Sequence, residues 1–444
     1  MRNIKRSFVL LLVFFCLLWW LTDQTELSAI PNFFGWRALL MQFSGVLGIG
    51  IMSVAMVLAV RPVVFEPYLG GLDKMYRLHK WLGISGLIIT LSHWLISEAP
   101  KWLVGLGLLE RPVRGARASL PDDAIQQFFL SQRSLAEEIG KWAFYAAVIL
   151  MVLALVKRFP YRHFFKTHRL LAVTYLALVW HSVILLKFDY WSGPLGPVMA
   201  VLMAAGCIAS VMVLFRRVAA SRQAVGEVAA VRYHESLSVM EVDIALKGRW
   251  PGHQSGQFAF LTLHEEEGPH PYTISSTWAD DGSITFIIKA LGDYTRTLPE
   301  RVKLGDVVKL EGPYGQFNFQ GRQRRQIWIG GGIGITPFIS RLKALAKKSD
   351  GKTIELFHTT AVYDQHAIDL LESDAKAAKV RLHVLWDERD GRLNAARITE
   401  LVPEWQDADI WFCGPAGFGQ ALKKDFISMG IPEQRFHQEL FEMR

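Results

Sequence analysis

HKWLGISGLIITLSH (residues 79–93) and HRLLAVTYLALVWH (residues 168–181) decide how this 444-residue chain is read. Each is an apolar run bracketed by histidines, His79 and His93 in the first, His168 and His181 in the second. Such runs suit a membrane, whose hydrocarbon core of about 30 Å is crossed by roughly 20 residues. An imidazole is costly there. One histidine would be an oddity or a packing residue, but two pairs on separate spans imply something repeated at two depths. At about 1.5 Å per helical residue, separations of 14 and 13 put the two levels roughly 20 Å apart.

Neutral imidazole is a suitable axial ligand for haem iron, and that separation leaves room for two stacked haems. The helical phase fits one pair better than the other. Fourteen steps of about 100° return to within roughly 40° of the starting face, while thirteen miss it by roughly 140°. The His168–His181 helix must therefore be overwound, bent or helped by side-chain rotamers.

Hydrophobic residues make up 51% of the chain, with 15 Trp and 27 Phe. The excess lies before about residue 216, and the remainder of the chain has an ordinary soluble α/β composition. Six spans are legible: Ser7–Leu21, Ala38–Val60, Trp81–Ile96, Trp142–Val156, Leu170–Leu186 and Leu195–Phe215. Alternate flanks are basic, as at Arg2, Lys5 and Arg6, then Arg61, Lys74, Arg77 and Lys80. The pattern resumes with Lys157, Arg158, Arg162, Lys166 and Arg169, and ends with Arg216, Arg217 and Arg222. The net charge of +8 thus reports membrane topology rather than an acidic partner, and nothing in it calls for nucleic acid. By the positive-inside rule the N-terminus, the 61–80 and 157–169 loops and everything after residue 216 are cytoplasmic. This pairs His79 with His168 at the inner level and His93 with His181 at the outer level. The first segment also has the basic start of a signal peptide, but no small-residue cleavage site is evident, and the remaining spans give the same orientation. Cys16, Cys207 and Cys413 are far apart and form no CxxC, which excludes a cysteine-ligated cluster or a disulfide framework within the chain.

From Glu227 to about Phe319 short alternating runs (VAAVRY, LSVMEVDIAL, QFAFLTL, SITFIIKAL, DVVKLEG) punctuated by Gly and Pro predict a small antiparallel barrel. Within it, His270-Pro271-Tyr272-Thr273-Ile274-Ser275-Ser276 sets an aromatic plane beside hydroxyl groups. Gly292-Asp293-Tyr294-Thr295 follows a strand and offers backbone N–H groups and a hydroxyl to a pyrophosphate. After Arg325 strands and helices alternate. IWIGGGIGITPFISRLKALA reads as strand, Gly-rich turn and amphipathic helix, with Gly330–Gly334 letting backbone approach a pyrophosphate. DIWFCGPAGFGQAL is a strand ending at Cys413-Gly414-Pro415, so both loops lie at carboxyl ends of strands, where open α/β sheets bind ligands.

HPYTISS, GDYT, GGGIGITP and CGPAGF, in that order and spacing, resemble the ferredoxin–NADP reductase-type flavin module. With two histidine pairs on a six-helix domain, the chain resembles the ferric reductase / NADPH oxidase family, least in residues 97–141. That family has the same 14- and 13-residue histidine pairs. The resemblance implies a multidomain protein: a six-helix transmembrane haem-binding bundle (residues 1–221), an antiparallel β-barrel FAD domain (222–322) and an α/β nucleotide-binding domain (323–444). Carried over by position, His79, His93, His168 and His181 ligate two b-type haems. Tyr272, Thr273 and Ser275, with Pro271 and Ile274 between them, contact FAD, and His270 replaces the Arg common in soluble relatives. Gly292 and Thr295 hold its pyrophosphate. Gly331, Gly332, Gly334 and Thr336 bind the phosphates of NADPH or NADH. Cys413, Gly414 and Pro415 approach the nicotinamide, and Phe441 is the aromatic expected to cover the flavin ring.

The implied activity is electron transfer from cytoplasmic NAD(P)H through FAD and two haems to O2 or a ferric chelate outside the cell membrane, with no obligate protein partner. A quinone-linked b-type cytochrome is the alternative. It calls for acidic residues buried in the spans, and none is evident in the sequence. Arg37 resembles an arginine near the oxygen site of oxidases, or is an interfacial snorkelling residue. Ser97 stands where those oxidases carry a further His. Together these tilt the acceptor toward oxygen by a small margin.

Overall fold

In a computed structural model the described residues are 2–27, 32–110, 121–156 and 158–439. They form two compact units, residues up to Val64 with Lys74–Val218, and Phe65–Asp73 with Ala219 onward.

The first unit is helical. Six helices are long and apolar enough to cross a membrane. These are α1 (Arg2–Leu27), α2 (Phe33–Ala59), α4 (Leu72–Gly105), α5 (Ala124–Leu155), the pair α6 (Tyr161–His168) and α7 (Leu171–Leu185), and α8 (Leu195–Leu214). A short turn, α3 (Glu66–Leu69), precedes α4 and belongs to the second unit. All six spans read from the sequence are present. The segment read as a long outer loop, 97–141, is mostly helix: α4 runs on to Gly105 and α5 starts at Ala124. The Asp123 carboxylate starts α5 early by accepting from the N–H groups of Ile125 and Gln126. Pro100 sits inside α4 and leaves the Ile96 carbonyl without its helical donor. Arg37 supplies one instead, Nε donating to Ile96 O at 3.1 Å and Nη2 to Ser97 O at 3.2 Å.

The mismatch of phase in the second histidine pair is reduced by overwinding at the joint between α6 and α7. Between His168 and His181 the helix tightens at Arg169–Leu170, where Leu170, Ala172 and Val173 donate to carbonyls three residues back. Bonds of this 3₁₀ type add about 20° per residue over an α-helix, so these three supply roughly 60° of the roughly 140° missing.

In the second unit β1 (Gln223–His234), β2 (Val239–Lys247), β3 (Phe258–Thr262), β4 (His270–Thr273), β5 (Ser283–Lys289) and β6 (Val307–Tyr314) form an antiparallel sheet. Its order is β4-β3-β6-β1-β2-β5, and a bridge between Ile274 and Phe286 joins its two edges into a barrel. Alternating inward residues such as Val242, Ile244, Ile284 and Phe286 fill it. Helix α9 (Asp293–Arg301) follows β5. The rest is a parallel sheet of order β11-β10-β7-β8-β9: β7 (Arg325–Gly331), β8 (Thr353–Thr360), β9 (Arg381–Trp386), β10 (Ala408–Cys413) and β11 (Phe436–Gln438). Helices α10 (Thr336–Lys347), α11 (Gln365–Ala377), α12 (Asp387–Asp390), α13 (Ala395–Leu401) and α14 (Ala416–Ser428) connect the strands.

Near the starts of β7, β8 and β9 one buried carboxylate gathers two arginines and a histidine. Glu355 accepts from His383 Nε2 at 2.8 Å and lies 3.6 Å from Arg325 and 3.4 Å from Arg381. Removing it strands these groups beside an apolar core, partly relieved by solvent at the exposed Arg381. Glu355→Ala is expected to destabilise the second unit by about 1–3 kcal/mol, read as a lower unfolding midpoint of the purified chain by flavin fluorescence. An unchanged midpoint would show that the cluster contributes nothing.

Candidate functional site

The first unit brings the four histidines together in the pairs read by depth. The His79 and His168 rings are 6.0 Å apart between centroids, and those of His93 and His181 are 6.4 Å apart. Two imidazoles sharing one metal, each bond about 2.0 Å, have centroids roughly 6.3 Å apart once the ring radius is added. Three rings are pinned through Nδ1, leaving Nε2 for such a bond. His79 donates to Ala55 O at 3.0 Å and His181 to Ala136 O at 2.8 Å. The His93 Nδ1 donates to Ser44 Oγ at 2.9 Å, whose own hydrogen goes to Leu40 O at 2.6 Å. A carbonyl or hydroxyl behind a metal-binding imidazole fixes its tautomer and orientation. The fourth, His168, has a buried Nδ1 without a partner and stacks on Phe164 at 4.9 Å.

The space around the pairs is shaped by glycine. On α4, Gly83 and Gly86 lie four and seven residues after His79, on the same face, and a Cβ at Gly83 would meet nothing within 4 Å. Gly45 on α2 abuts His93, and a Cβ at Gly140 on α5 would overlap the His181 ring. A cavity of about 1380 Å³ reaches His93 and His181 and is bordered by Gly45, Gly48 and Gly140. Among the described residues no three His, Cys, Asp or Glu side chains converge on a point. Two imidazoles flanking a flat, glycine-lined space therefore suit a metal whose other ligands come from a planar macrocycle.

The same cavity is lined by Arg37, held to the Ile96 and Ser97 carbonyls of α4, and by a residue the sequence reading did not find. Asp23, in the last turns of α1, is 2% exposed, accepts from the Tyr190 hydroxyl at 2.7 Å and lies 3.9 Å from Lys187 Nζ. This corrects the expectation that no span buries an acid. A single carboxylate near a helix end gives no sequence signal.

In the barrel the HPYTISS and GDYT segments converge. His270 and Tyr272 stand on β4, and the His270 ring stacks on Tyr294 of α9 at 4.8 Å and on Tyr272 at 6.3 Å. Tyr294, quoted in the motif but given no role, shares a 2.8 Å hydrogen bond with His264 Nδ1. Pro271 pairs with Phe260 across β3, Thr273 is buried, and Ile274 is wholly inside the barrel. Burial lowers the His270 pKa to about 4, so this position is neutral at physiological pH.

The hydroxyls expected on phosphates are occupied in shaping their own turns. Thr295 Oγ1 accepts from the N–H groups of Leu291 and Gly292 and donates to Gly292 O, tying down the backbone at the start of α9. Ser275 donates to Thr285 O, and Thr336 to Ile333 O. What these turns offer an anion is the N–H groups of a helix first turn.

The Gly-rich turn and the CGP loop meet as two carboxyl ends of the adjacent parallel strands β7 and β10. A Cβ at Gly334 would collide with the Cys413 carbonyl, and Gly331 Cα lies 3.1 Å from the position of a Cβ at Gly414. Gly332 (φ +54°) faces open space. Pro415 lies against Gly331. The Cys413 thiol points into the core with Trp328 and Phe338, and burial pushes its pKa well up, so it stays a thiol. His358, missed in the sequence, donates to Gly330 O at 3.2 Å beneath the turn, and burial lowers its pKa to about 4. Phe441 lies outside the described residues.

Residues 44–179 match the family described as ferric reductase like transmembrane component, 233–319 an oxidoreductase FAD-binding domain and 328–424 an oxidoreductase NAD-binding domain. This is the ferric reductase/NADPH oxidase-like architecture. The chain is an integral membrane oxidoreductase with FAD- and NAD(P)-binding domains. A flavohemoprotein of Bordetella pertussis is 29% identical over 220 residues, 44% of this chain and 54% of its own length. An NADPH oxidoreductase of Mycobacterium tuberculosis is 31% identical over 178 residues, 38% of this chain and 47% of its own. The chain thus spans about half the length of these curated relatives. A solved flavohem-like FAD/NAD binding domain of a nitric oxide dioxygenase from Vibrio cholerae is 22% identical, with TM-score 0.41, covering 49% of this chain and 97% of that one.

His270 and His358 give a pH signature. Both are harder to protonate folded than unfolded, so from pH 6.5 down to about 4 the unfolded chain binds more protons and stability falls with pH. The second unit is expected to lose up to about 3 kcal/mol per histidine across this window, read as flavin-fluorescence melts between pH 7.5 and 4.5. His270→Gln with His358→Gln should flatten the profile; an equally steep loss would assign it elsewhere.

Proposed function

We propose that the chain carries electrons from cytoplasmic NAD(P)H through FAD to the His79–His168 level, on to the His93–His181 level, and then to an acceptor outside the cell membrane. The observation that carries this reading is the pair of imidazole pairs, 6.0 and 6.4 Å between centroids, with three of four rings pinned through Nδ1. Each pair would ligate one b-type haem. A flavin takes two electrons as hydride and passes them on singly, the conversion required between nicotinamide and haem iron.

The chain's own residues bind, orient and exclude water. Residues 1–221, 222–322 and 323–444 are its three functional parts. Tyr272 and the α9 first turn would hold FAD, and the Gly331–Thr336 turn the nucleotide phosphates. The Cys413–Pro415 loop would border the nicotinamide, and Phe441 would cover the flavin ring. No side chain needs to move a proton in the membrane steps. O2 and a ferric chelate both remain acceptors of the proposed class. The guanidinium of Arg37, engaged with two carbonyls, supports a structural role for it more than a part in oxygen chemistry. The basic flanks support a cytoplasmic N-terminus and second unit.

Loss of either outer ligand tests the ladder. His93→Ala and His181→Ala should each lower bound haem from two per chain to one and abolish delivery to external acceptors, while flavin reduction continues. Two haems retained in both variants would overturn the assignment, and superoxide and ferric-chelate assays side by side identify the acceptor.

The nucleotide domain supports NADH over NADPH. At the carboxyl end of β8, where a 2′-phosphate would need a cation, Thr359 Oγ1 donates to the Asp387 carboxylate at 2.8 Å and Thr360 Oγ1 to Val362 O. Arg389 is neutralised by Asp390 at 2.9 Å. Steady-state flavin reduction should be at least as fast with NADH, and Asp387→Asn should raise NADPH use. An NADPH preference above about a hundredfold, roughly 2.7 kcal/mol, would reveal a cation not engaged here.

A further inference from the structure

The end of the helical bundle that carries His79 and His168 holds a group of positive charges. Among the described residues, none of Arg158, Arg162, Lys166, Arg169, Arg216 and Arg217 has a carboxylate within ion-pair distance. Arg169 follows His168 at the overwound joint between α6 and α7, and Arg216 follows α8 by two residues. The Arg169 guanidinium reaches the carbonyl of Leu214, two residues before Arg216, which places the two arginines close together at the ends of the fifth and sixth spans. The Arg169 Nε is buried with no hydrogen-bond partner, and its Nη2 makes only a long 3.4 Å contact with Leu214 O. Two neighbouring guanidiniums, one with a buried idle donor, offer a ready site for an anion between them.

The setting identifies that anion. Leu170 and Phe215, next in sequence to the two arginines, are 51% and 73% exposed, so the charges sit above apolar side chains at the end of two spans. That is where a lipid acyl chain meets its headgroup, and basic pockets between spans bind anionic headgroups. We propose that Arg169 and Arg216 bind the phosphate of an anionic phospholipid between the fifth and sixth spans, one residue from His168. The planar forks of two guanidiniums match a phosphate's oxygens better than a single lysine would. The site needs only these residues and the bundle, so it stands apart from the haem assignment.

The test uses the full chain in nanodiscs of mixed phosphatidylcholine and phosphatidylglycerol, with retained lipid counted by native mass spectrometry and haem by absorbance. The wild type should retain phosphatidylglycerol selectively, and Arg216→Gln, an exposed position that folding tolerates, should lose roughly fivefold of that selectivity. Adding Arg169→Gln should lose roughly fivefold more, with haem content unchanged. Selectivity unaltered in both variants would overturn the proposal. So would loss of haem with lipid selectivity intact, since the arginines would then be holding a carboxylate of the haem.

Discussion

An imidazole inside a membrane has to be neutral, fixed in direction and supplied with a use, and the helical unit is arranged around that demand, fixing three of its four histidines by a hydrogen bond. Each pinned ring gives its Nδ1 hydrogen to a group that a helix already holds in place: Ala55 O, Ala136 O or the Ser44 hydroxyl. The rings in turn dictate the side chains around them. Glycine stands where anything larger would fill the space beside a ring, most tightly at Gly140 against His181. Tyr175, between the two levels along α7, ties α2 to α7 through a 2.7 Å hydrogen bond with Ser53. In a medium without water such bonds substitute for the hydrophobic effect in holding helices together.

The second unit solves a different problem, bringing backbone close to a charged ligand. Its parallel strands β7 and β10 end side by side, and the glycines at 331, 334 and 414 let two loops touch without side chains between them. The barrel is fastened to this sheet by serines: Ser340 Oγ donates to Ser276 O at 2.8 Å and Ser255 Oγ to Ser340 O at 3.1 Å. The end of the HPYTISS segment and the helix after the Gly-rich turn thereby share a hydrogen bond. This gives a rigid frame to the two halves of a site that must align a nicotinamide with a flavin.

Most of this architecture is legible in the sequence because it rests on patterns with a period. Apolar runs reveal all six spans, alternation reveals most barrel strands, and Gly-rich turns reveal the strand ends. The histidine pairing follows from depth alone. What escapes is whatever depends on a single local exchange. The helical extensions in 97–141 look like loop because their polar faces dilute the apolar signal, and β4 is too short for alternation to register. The overwinding near Leu170 leaves no mark in composition, although the spacing of 13 called for overwinding, a bend or a rotamer adjustment. Hydroxyls such as Thr295 and Thr336 carry the right chemistry for a phosphate, yet each has a backbone carbonyl within reach that a sequence cannot display.

Pro100 and Arg37 illustrate how such an exchange binds distant positions. One removes a donor from the middle of α4, the other returns it from the start of α2, so neither residue has a settled meaning by itself. Without Arg37 the Ile96 carbonyl loses its donor, and without Pro100 a backbone N–H would be there to take the arginine's place. The pair acts as one unit written at two places 63 residues apart. An arginine at position 37 is thus evidence about a missing bond in a neighbouring helix before it is evidence about any chemistry at the end of the bundle.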